Sequence, residues 1–240
     1  LREEAVARLK AYRNRPPSNY VPRYLLQMEP EQKYAIVVDT QRARLYIYQN
    51  DNGRPRFVAD YYISHGKLGA EKLREGDKRT PVGVYHVTAN LPRQKLSDFY
   101  GNGAFPISYP NEWDRQQGRD GHGIWLHGVP PQNFARSPQS TDGCVVLANP
   151  DLDHIIRTVE VRNTPVVIAT QLQWVAPQSI RNESKPFEEA LYAWRNAKTA
   201  GNVDQILSFY TPDFSSNGKS LSQWTPVLKT ELSKVQGRTI

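Results

Sequence analysis

Residues 34–63, "YAIVVDTQRARLYIYQNDNGRPRFVADYYI", commit this chain to a sheet. Ile36–Val38, Arg44–Tyr48 and Arg56–Ile63 are three runs rich in β-branched and aromatic residues, which fit a pleated, half-buried surface. "NDNG" at 50–53 is a turn joining the second run to the third. The three together predict a β-meander. More strands are predicted in "KRTPVGVYHVTA" (78–89), entered through Pro81 and Gly83, in "GHGIWLHG" (121–128), in "CVVLA" (144–148) and in "TPVVIAT" (164–170). Between the last two, Asn149 and Pro150 read as an N-cap and N1 pair with Asp151 and Asp153 in the first turn, so "LDHIIRTV" continues a helix.

The ends of the chain read as helical. Leu1, Ala5, Leu9 and Tyr12 form one helical stripe, stopped by Pro16 and Pro17. Composition shifts after "QWVAPQSIRNESKP" (173–186). The stretch "FEEALYAWRNAKTAGNVDQILSFYTPDF" predicts two helices broken at Gly201–Asn202, Ser222–Val235 a third, and no strand is expected there. The organisation is a helical extension (1–32), a mostly β body (33–172), a linker (173–185) and a helical segment (186–240). Residues 90–121 are polar and punctuated by Pro and Gly, yet carry Phe99, Tyr100, Phe105, Tyr109 and Trp113. That many aromatics argue against disorder, so this segment is expected to cap a cleft or to pack as a surface excursion, with Tyr109 and Trp113 as cleft walls or as packing within the cap.

Cys144 is the only cysteine in 240 residues, which excludes an internal disulfide framework and a cysteine-cluster metal site. No apolar stretch approaches the roughly 18 residues of a membrane helix. The chain opens inside a helical pattern, without a basic and then apolar leader, so a signal segment is expected to have been removed. Residues 1–181 hold 24 basic and 18 acidic residues, a charge of +6 out of the total of +7. A basic excess suits an anionic polymer: nucleic acid is one, a carboxylate-rich cell wall another.

The thiol lies in "STDGCVVL" (140–147), between a turn and an apolar run. A cysteine nucleophile needs a base, a group to orient that base, and donors for the oxyanion that develops. Gly143 permits a tight turn before the strand, which can aim the amides of Gly143 and Cys144 at one spot. Five histidines compete for the role of base: His65, His86, His122, His127 and His154. Two adjacent strands whose ends carry His127 and Cys144 bring imidazole and thiol together, although spacing alone leaves all five open. An activated thiol is expected to be alkylated below about pH 8.

Here "HG" at 127–128 followed by "TDGCVVL" at 141–147 resembles the signature of the L,D-transpeptidase (YkuD) family: a His, a variable stretch, then Ser/Thr-His-Gly-Cys. "RTPVGVYHV" (79–87) is similar to the family's Thr-Pro-x-Gly strand, "GIWLHG" to its Gly-Ile-x-x-His-Gly strand, and "IVVDTQRARLYIY" to its opening hairpin. The resemblance covers about residues 33–170. It implies an α+β fold whose catalytic domain is mostly β, sandwich-like mixed sheets with a helix after Cys144. It implies that Cys144 attacks the L,D bond of a peptidoglycan stem peptide, that His127 moves the proton, and that the Gly128 carbonyl holds the imidazole. The amides of Gly143 and Cys144 would hold the oxyanion, and Thr141 would brace the turn. The acyl group then passes to water, as in an L,D-carboxypeptidase, or to an amine on another stem or on a wall-anchored lipoprotein.

Two positions depart from the family pattern: Asp142 replaces the usual His, and Val146 the usual Arg. Such departures are similar to those of a sub-branch of L,D-carboxypeptidases with a C-terminal domain like nuclear transport factor two (SnoaL-like). The tail resembles the opening helices of that domain, but is too short for its curved sheet, so a partial domain is expected. Asp142 reads as a turn residue or as a partner for a substrate ammonium, and His122 as a cleft residue or a strand cap. Arg79 and Lys67 are candidates for substrate carboxylates, and also fit as solvated charges. The resemblance implies no cofactor, no metal and no nucleic acid, and a periplasmic or wall-associated location. The rival reading is a non-catalytic module that binds wall or nucleic acid and keeps only the sheet.

Overall fold

A computed structural model describes residues 1–25 and 27–233. The chain divides into two compact units, Leu1–Pro177 and Gln178–Ile240. The first opens with helix α1 (Arg2–Arg13) and strand β1 (Val21–Pro22), followed by the meander β2 (Tyr34–Asp39), β3 (Arg44–Asp51) and β4 (Arg54–Tyr62). Then come β5 (His65–Gly66), β6 (Gly83–His86), β7 (Leu91–Pro92), β8 (Gly103–Pro106), the short helix α2 (Glu112–Gln116) and β9 (Trp125–His127). The unit is completed by β10 (Gln139–Thr141), β11 (Val145–Val146), α3 (Asn149–Ile156), β12 (Pro165–Ala169) and β13 (Trp174–Val175).

Five strands form one sheet in the order β4-β3-β2-β12-β6, and four form another in the order β11-β9-β8-β7. Alternation decides what lies between them. Ile36, Val38, Leu45, Ile47, Val166 and Ile168 from the first sheet meet Phe105, Leu126 and Val145 from the second, and Leu152 and Ile155 of α3 join the same cluster. The result is the expected α+β arrangement, a sandwich of mixed sheets with a helix after Cys144. Small pairs β5–β10 (parallel) and β1–β13 (antiparallel) finish the unit.

Several elements differ from the sequence reading. α1 forms, but its stripe is not the buried one: Leu9 and Tyr12 are exposed, and the half-covered face is Glu4, Ala7, Arg8 and Ala11. Arg8 caps the Tyr62 ring at 4.3 Å, so a cation–π contact replaces apolar burial. Asn149 is not the helix cap, which is Ala148. Its side chain instead accepts from Asn102 N–H and donates to the Val129 carbonyl. The expected linker at 173–185 is ordered, as β13 and then helix α4 (Pro177–Thr199).

The second unit contains most of α4, then α5 (Val203–Leu207), capped by Asn202, a hairpin of β14 (Ser215–Ser216) and β15 (Lys219–Ser220), and α6 (Leu221–Ser233). The hairpin corrects the expectation of no strand there. The predicted end of the third helix, 234–235, lies outside the described residues. Ala197, Ile206, Leu228 and Leu232 form this unit's core, with Trp194, Tyr210 and Trp224 packed against it.

Candidate active site

The sandwich positions the thiol and the imidazole through strand register. β9 and β11 are parallel neighbours, with Val145 beside Leu126 and Val146 beside His127. Leu126 and Val145 point into the core. Alternation therefore turns Trp125 and His127, and on the neighbouring strand Cys144 and Val146, to the opposite face. Cys144 and His127 share that face one diagonal step apart. Neighbouring strands ~4.8 Å apart and a rise of ~3.3 Å per residue put their Cα atoms on the order of 8 Å from each other. The two side chains are thus offset along their strands. Cys144 sits at the start of its strand and His127 at the end of its own.

His127 is 2% exposed. Its Nδ1 lies 2.7 Å from the Gly128 carbonyl oxygen. A carbonyl can only accept, so Nδ1 carries the proton and Nε2 keeps a lone pair. The carbonyl is itself well placed. The Gly128 N–H donates to the Tyr100 carbonyl at 3.0 Å, and a Cβ at 128 would collide with Asn149 Oδ1. Tyr100 and Phe99 pack on the imidazole with ring centroids 5.1 and 5.7 Å away, and Tyr100 also packs on Trp125. Burial pulls the His127 pKa down to about 4. The Gly128 hydrogen bond opposes this, and the nearby Arg136 guanidinium adds to it.

The turn before the thiol is tied on every side. Thr141 Oγ1 donates to the Cys144 carbonyl at 2.7 Å and accepts the Gly143 N–H at 3.1 Å. Thr80 Oγ1 donates to the Gly143 carbonyl at 2.9 Å and accepts the Gly66 N–H at 3.0 Å. Gly143 has φ +131, and a Cβ there would sit 2.8 Å from the Arg79 carbonyl oxygen. Only glycine suits that backbone and that approach. The Gly143 amide is committed to Thr141, whereas the Cys144 amide has no acceptor among the described residues. Of the two amides expected to face an oxyanion, only that of Cys144 is without an acceptor among the described residues.

Cys144 is half-buried, and its thiol lies 3.5 Å from the Gly123 carbonyl. Burial pushes the thiol pKa up and Asp142 adds to the rise. A hydrogen bond from the Trp125 backbone and the Arg136 and Lys72 charges oppose it. Thiol and imidazole are thus both neutral near pH 7, not a thiolate–imidazolium pair.

The remaining sequence candidates fall into two groups. Thr141 belongs to the turn. Asp142 is exposed and paired with Lys67 at 3.0 Å. Arg79 sends its guanidinium to the Ala70 carbonyl, and His122 is exposed, 3.3 Å from Glu75. Tyr109 is a core residue whose hydroxyl donates to the Asp120 carbonyl, not a cleft wall. Trp113 is 61% exposed. His65 is buried, His86 is exposed, and His154 meets Tyr61 at 3.2 Å. Among the described residues, no group of three or more His, Cys, Asp or Glu side chains could hold a metal ion, and no helix is long and apolar enough to cross a membrane.

The catalytic-domain model of the L,D-transpeptidase (YkuD) family matches residues 33–168, a span that holds Thr80, His127 and Cys144. The chain belongs to the L,D-transpeptidase (YkuD) family, whose members modify peptidoglycan. Bd1075 of Bdellovibrio bacteriovorus is similar in structure, with a TM-score of 0.77 and 26% identity over 90% of this chain and 77% of that one. The helical cell shape determining protein Pgp2 of Campylobacter jejuni shares the fold, with a TM-score of 0.69 and 23% identity over 95% of this chain and 77% of that one. No curated protein matches the chain in sequence.

For this L,D-transpeptidase family member, sequence reasoning missed the Phe99–Tyr100 stack on the imidazole, the Thr80 bridge and Arg136. Phe99 and Tyr100 stood among the aromatics of the 90–121 segment. Arg136 left no signal, since it lies in a loop and its guanidinium, 4.9 Å above the Phe99 ring, approaches the site only in three dimensions.

Proposed function

We propose that this L,D-transpeptidase family member cleaves the L,D bond of a peptidoglycan stem peptide through a thioester on Cys144. The observation that carries this reading is the shared face of β9 and β11, with a neutral His127 whose free nitrogen is Nε2. Because thiol and imidazole start neutral, His127 acts as a general base during attack. Nε2 takes the thiol proton as sulfur bonds to the carbonyl carbon, and the oxyanion is held by the unpaired Cys144 amide. Collapse breaks the C–N bond, and His127 returns its proton to the leaving amine. In the second half His127 deprotonates an incoming water or amine, which releases the acyl group and restores the thiol. For attack, the thiol gives up its 3.5 Å contact with the Gly123 carbonyl.

Gly128 positions the imidazole, Thr141 and Thr80 hold the nucleophile turn, and Arg136, whose charge acts on both thiol and imidazole, meets a stem carboxylate, since Val146 occupies the usual Arg position. The chain works in the periplasm or at the wall, where its substrate lies, and a wall-anchored lipoprotein is one amine acceptor. Trimming stems in this way serves cell shape.

The test is incubation with purified muropeptides bearing a tetrapeptide stem, read by product mass. Wild type yields tripeptide if water is the acceptor and crosslinked dimer if an amine is. Cys144→Ala yields neither while retaining its circular dichroism. Undiminished turnover by the Ala variant overturns the proposal.

A further inference from the structure

On the far side of the sandwich a cleft of about 210 Å³ lies between the segment after α1 and the outer face of the five-stranded sheet. Leu45 and Ile47 of β3 face the core, so Arg44, Tyr46 and Tyr48 face outward into this cleft. Cys144 and His127 lie on the outer face of the other sheet, across the core, at least the ~10 Å that separates packed sheets.

The walls are aromatic. Trp174 meets Tyr46 edge-on at 5.0 Å, and Tyr48 meets Phe57 at 6.0 Å. Phe57 is 50% exposed and offers a flat ring at the rim. Among these rings stands one buried polar group without a partner. Trp174 Nε1 is buried and has no hydrogen bond among the described residues. Tyr46 and Tyr48 are 4% and 2% exposed, and neither hydroxyl counts among the buried atoms that lack a partner. Burial pushes Tyr46 up to about 12, and Tyr48 upward as well, so both hydroxyls stay protonated and neutral. At the floor, Arg44 Nε donates to Asp60 Oδ2 at 2.8 Å, and this pair has no net charge to offer a ligand.

Buried polar groups without partners are costly, and a ligand that pairs with them recovers that cost. Rings, an indole N–H and two neutral hydroxyls, beside the Arg44–Asp60 pair and the lining Arg15, suit a ligand with apolar C–H faces and hydroxyl or amide groups. A purely apolar ligand would leave the indole N–H unpaired. The volume lies below the roughly 300 Å³ where pockets for drug-sized molecules begin, which limits the occupant to about one ring.

We propose that this cleft is a saccharide-binding site that holds one N-acetylated pyranose of a glycan strand, its C–H face on the aromatic wall and its acetamido carbonyl accepting from Trp174 Nε1–H. The site would grip the strand while Cys144 works on stems. That consequence rests on the proposed function, although saccharide binding itself does not.

The test uses the full chain and a β-1,4-linked N-acetylglucosamine tetramer, followed by the indole N–H resonances in NMR. Saturable binding at up to millimolar tetramer, with a shift of the Trp174 resonance, is expected. Phe57→Ala and Trp174→Phe each weaken it tenfold or more. Both variants keep wild-type melting and wild-type turnover of a free stem peptide, and Cys144→Ala leaves tetramer binding unchanged. Absence of saturable binding, or binding that neither cleft variant weakens, overturns the proposal. In the wild-type chain, absent turnover with tetramer binding intact counts against the acyl-transfer reading alone, and absent tetramer binding with turnover intact counts against this one alone.

Discussion

At the scale of single residues, the nucleophile turn depends on groups that cannot be exchanged for near neighbours. Gly143→Ala puts a Cβ 2.8 Å from the Arg79 carbonyl oxygen at a φ of +131. Strain of about 1–3 kcal/mol follows, and the displaced thiol is expected to lose about a hundredfold in turnover. Thermal melts and steady-state kinetics check the two halves. Thr80→Val strips the Gly66 amide and the Gly143 carbonyl of their shared hydroxyl. It is expected to lower stability by about 1–3 kcal/mol for each buried group left unpaired, with Thr80→Ser restoring most of it in urea titrations. Arg136 lowers both the imidazole and the thiol pKa. Arg136→Gln therefore raises both, and if the guanidinium meets the stem carboxylate, KM rises more than kcat falls. An unchanged KM removes Arg136 from substrate binding. The thiol itself starts neutral, its pKa pushed up by burial. Burial outweighs the Trp125, Arg136 and Lys72 contributions, so labelling is expected to stay slow at neutral pH.

At the scale of elements, the site is a matter of which face a short strand shows. β9 and β11 have only three and two residues, too few for periodicity to fix their facing from sequence. The meander was legible because its strands are long and carry many β-branched and aromatic residues, and "TDGC" because only glycine suits Gly143. The 90–121 segment does two things that its composition left open: Phe99 and Tyr100 cover the imidazole, while β7 and β8 lie within it and Phe105 enters the core. The stripe of α1 was misleading for a related reason: one cation–π contact outweighed weak apolar periodicity. What that segment does for the site can be measured. Phe99 is 50% exposed and shields the imidazole from water, so Phe99→Ala should preserve the fold and admit solvent. Desolvation is the main cause of the low His127 pKa. The value should climb from about 4 toward the ordinary 6.5, moving the acid limb of the pH–rate profile upward with it. Titration of the His127 ring signals by NMR reads the shift directly, and an unmoved pKa means that the Phe99 ring does not keep water from the imidazole.

At the scale of the whole molecule, the sandwich buries two histidines in neutral form. His65 and His127 are 4% and 2% exposed, and burial lowers each pKa to about 4. In the unfolded chain both return to about 6.5. Between those values the unfolded state binds protons that the native state refuses, so stability is full above about pH 6.5 and is lost as pH falls toward 4. Each histidine contributes on the order of 3 kcal/mol across that window. Asp39 and Asp151, both pushed up by burial, bind protons on the native side and offset part of the loss at its lower end. Asp77 acts later. Burial alone would raise it, but hydrogen bonds from Lys72 and from the Leu73, Arg74 and Arg79 amides hold it at about 2, so its contribution disappears only below the unfolded value near 3.8. Urea titration of the sandwich should therefore show a clear drop in midpoint between about pH 7 and about pH 4.5. His65 lies outside the proposed chemistry, and its Nδ1 has no hydrogen-bond partner among the described residues. His65→Asn removes one titrating group without touching His127, and should cut the drop by about half whatever it does to stability at pH 7. A midpoint as steep in pH as that of the wild type means that His65 takes up its proton in the folded state, and the buried neutral pair is then the wrong account of acid sensitivity.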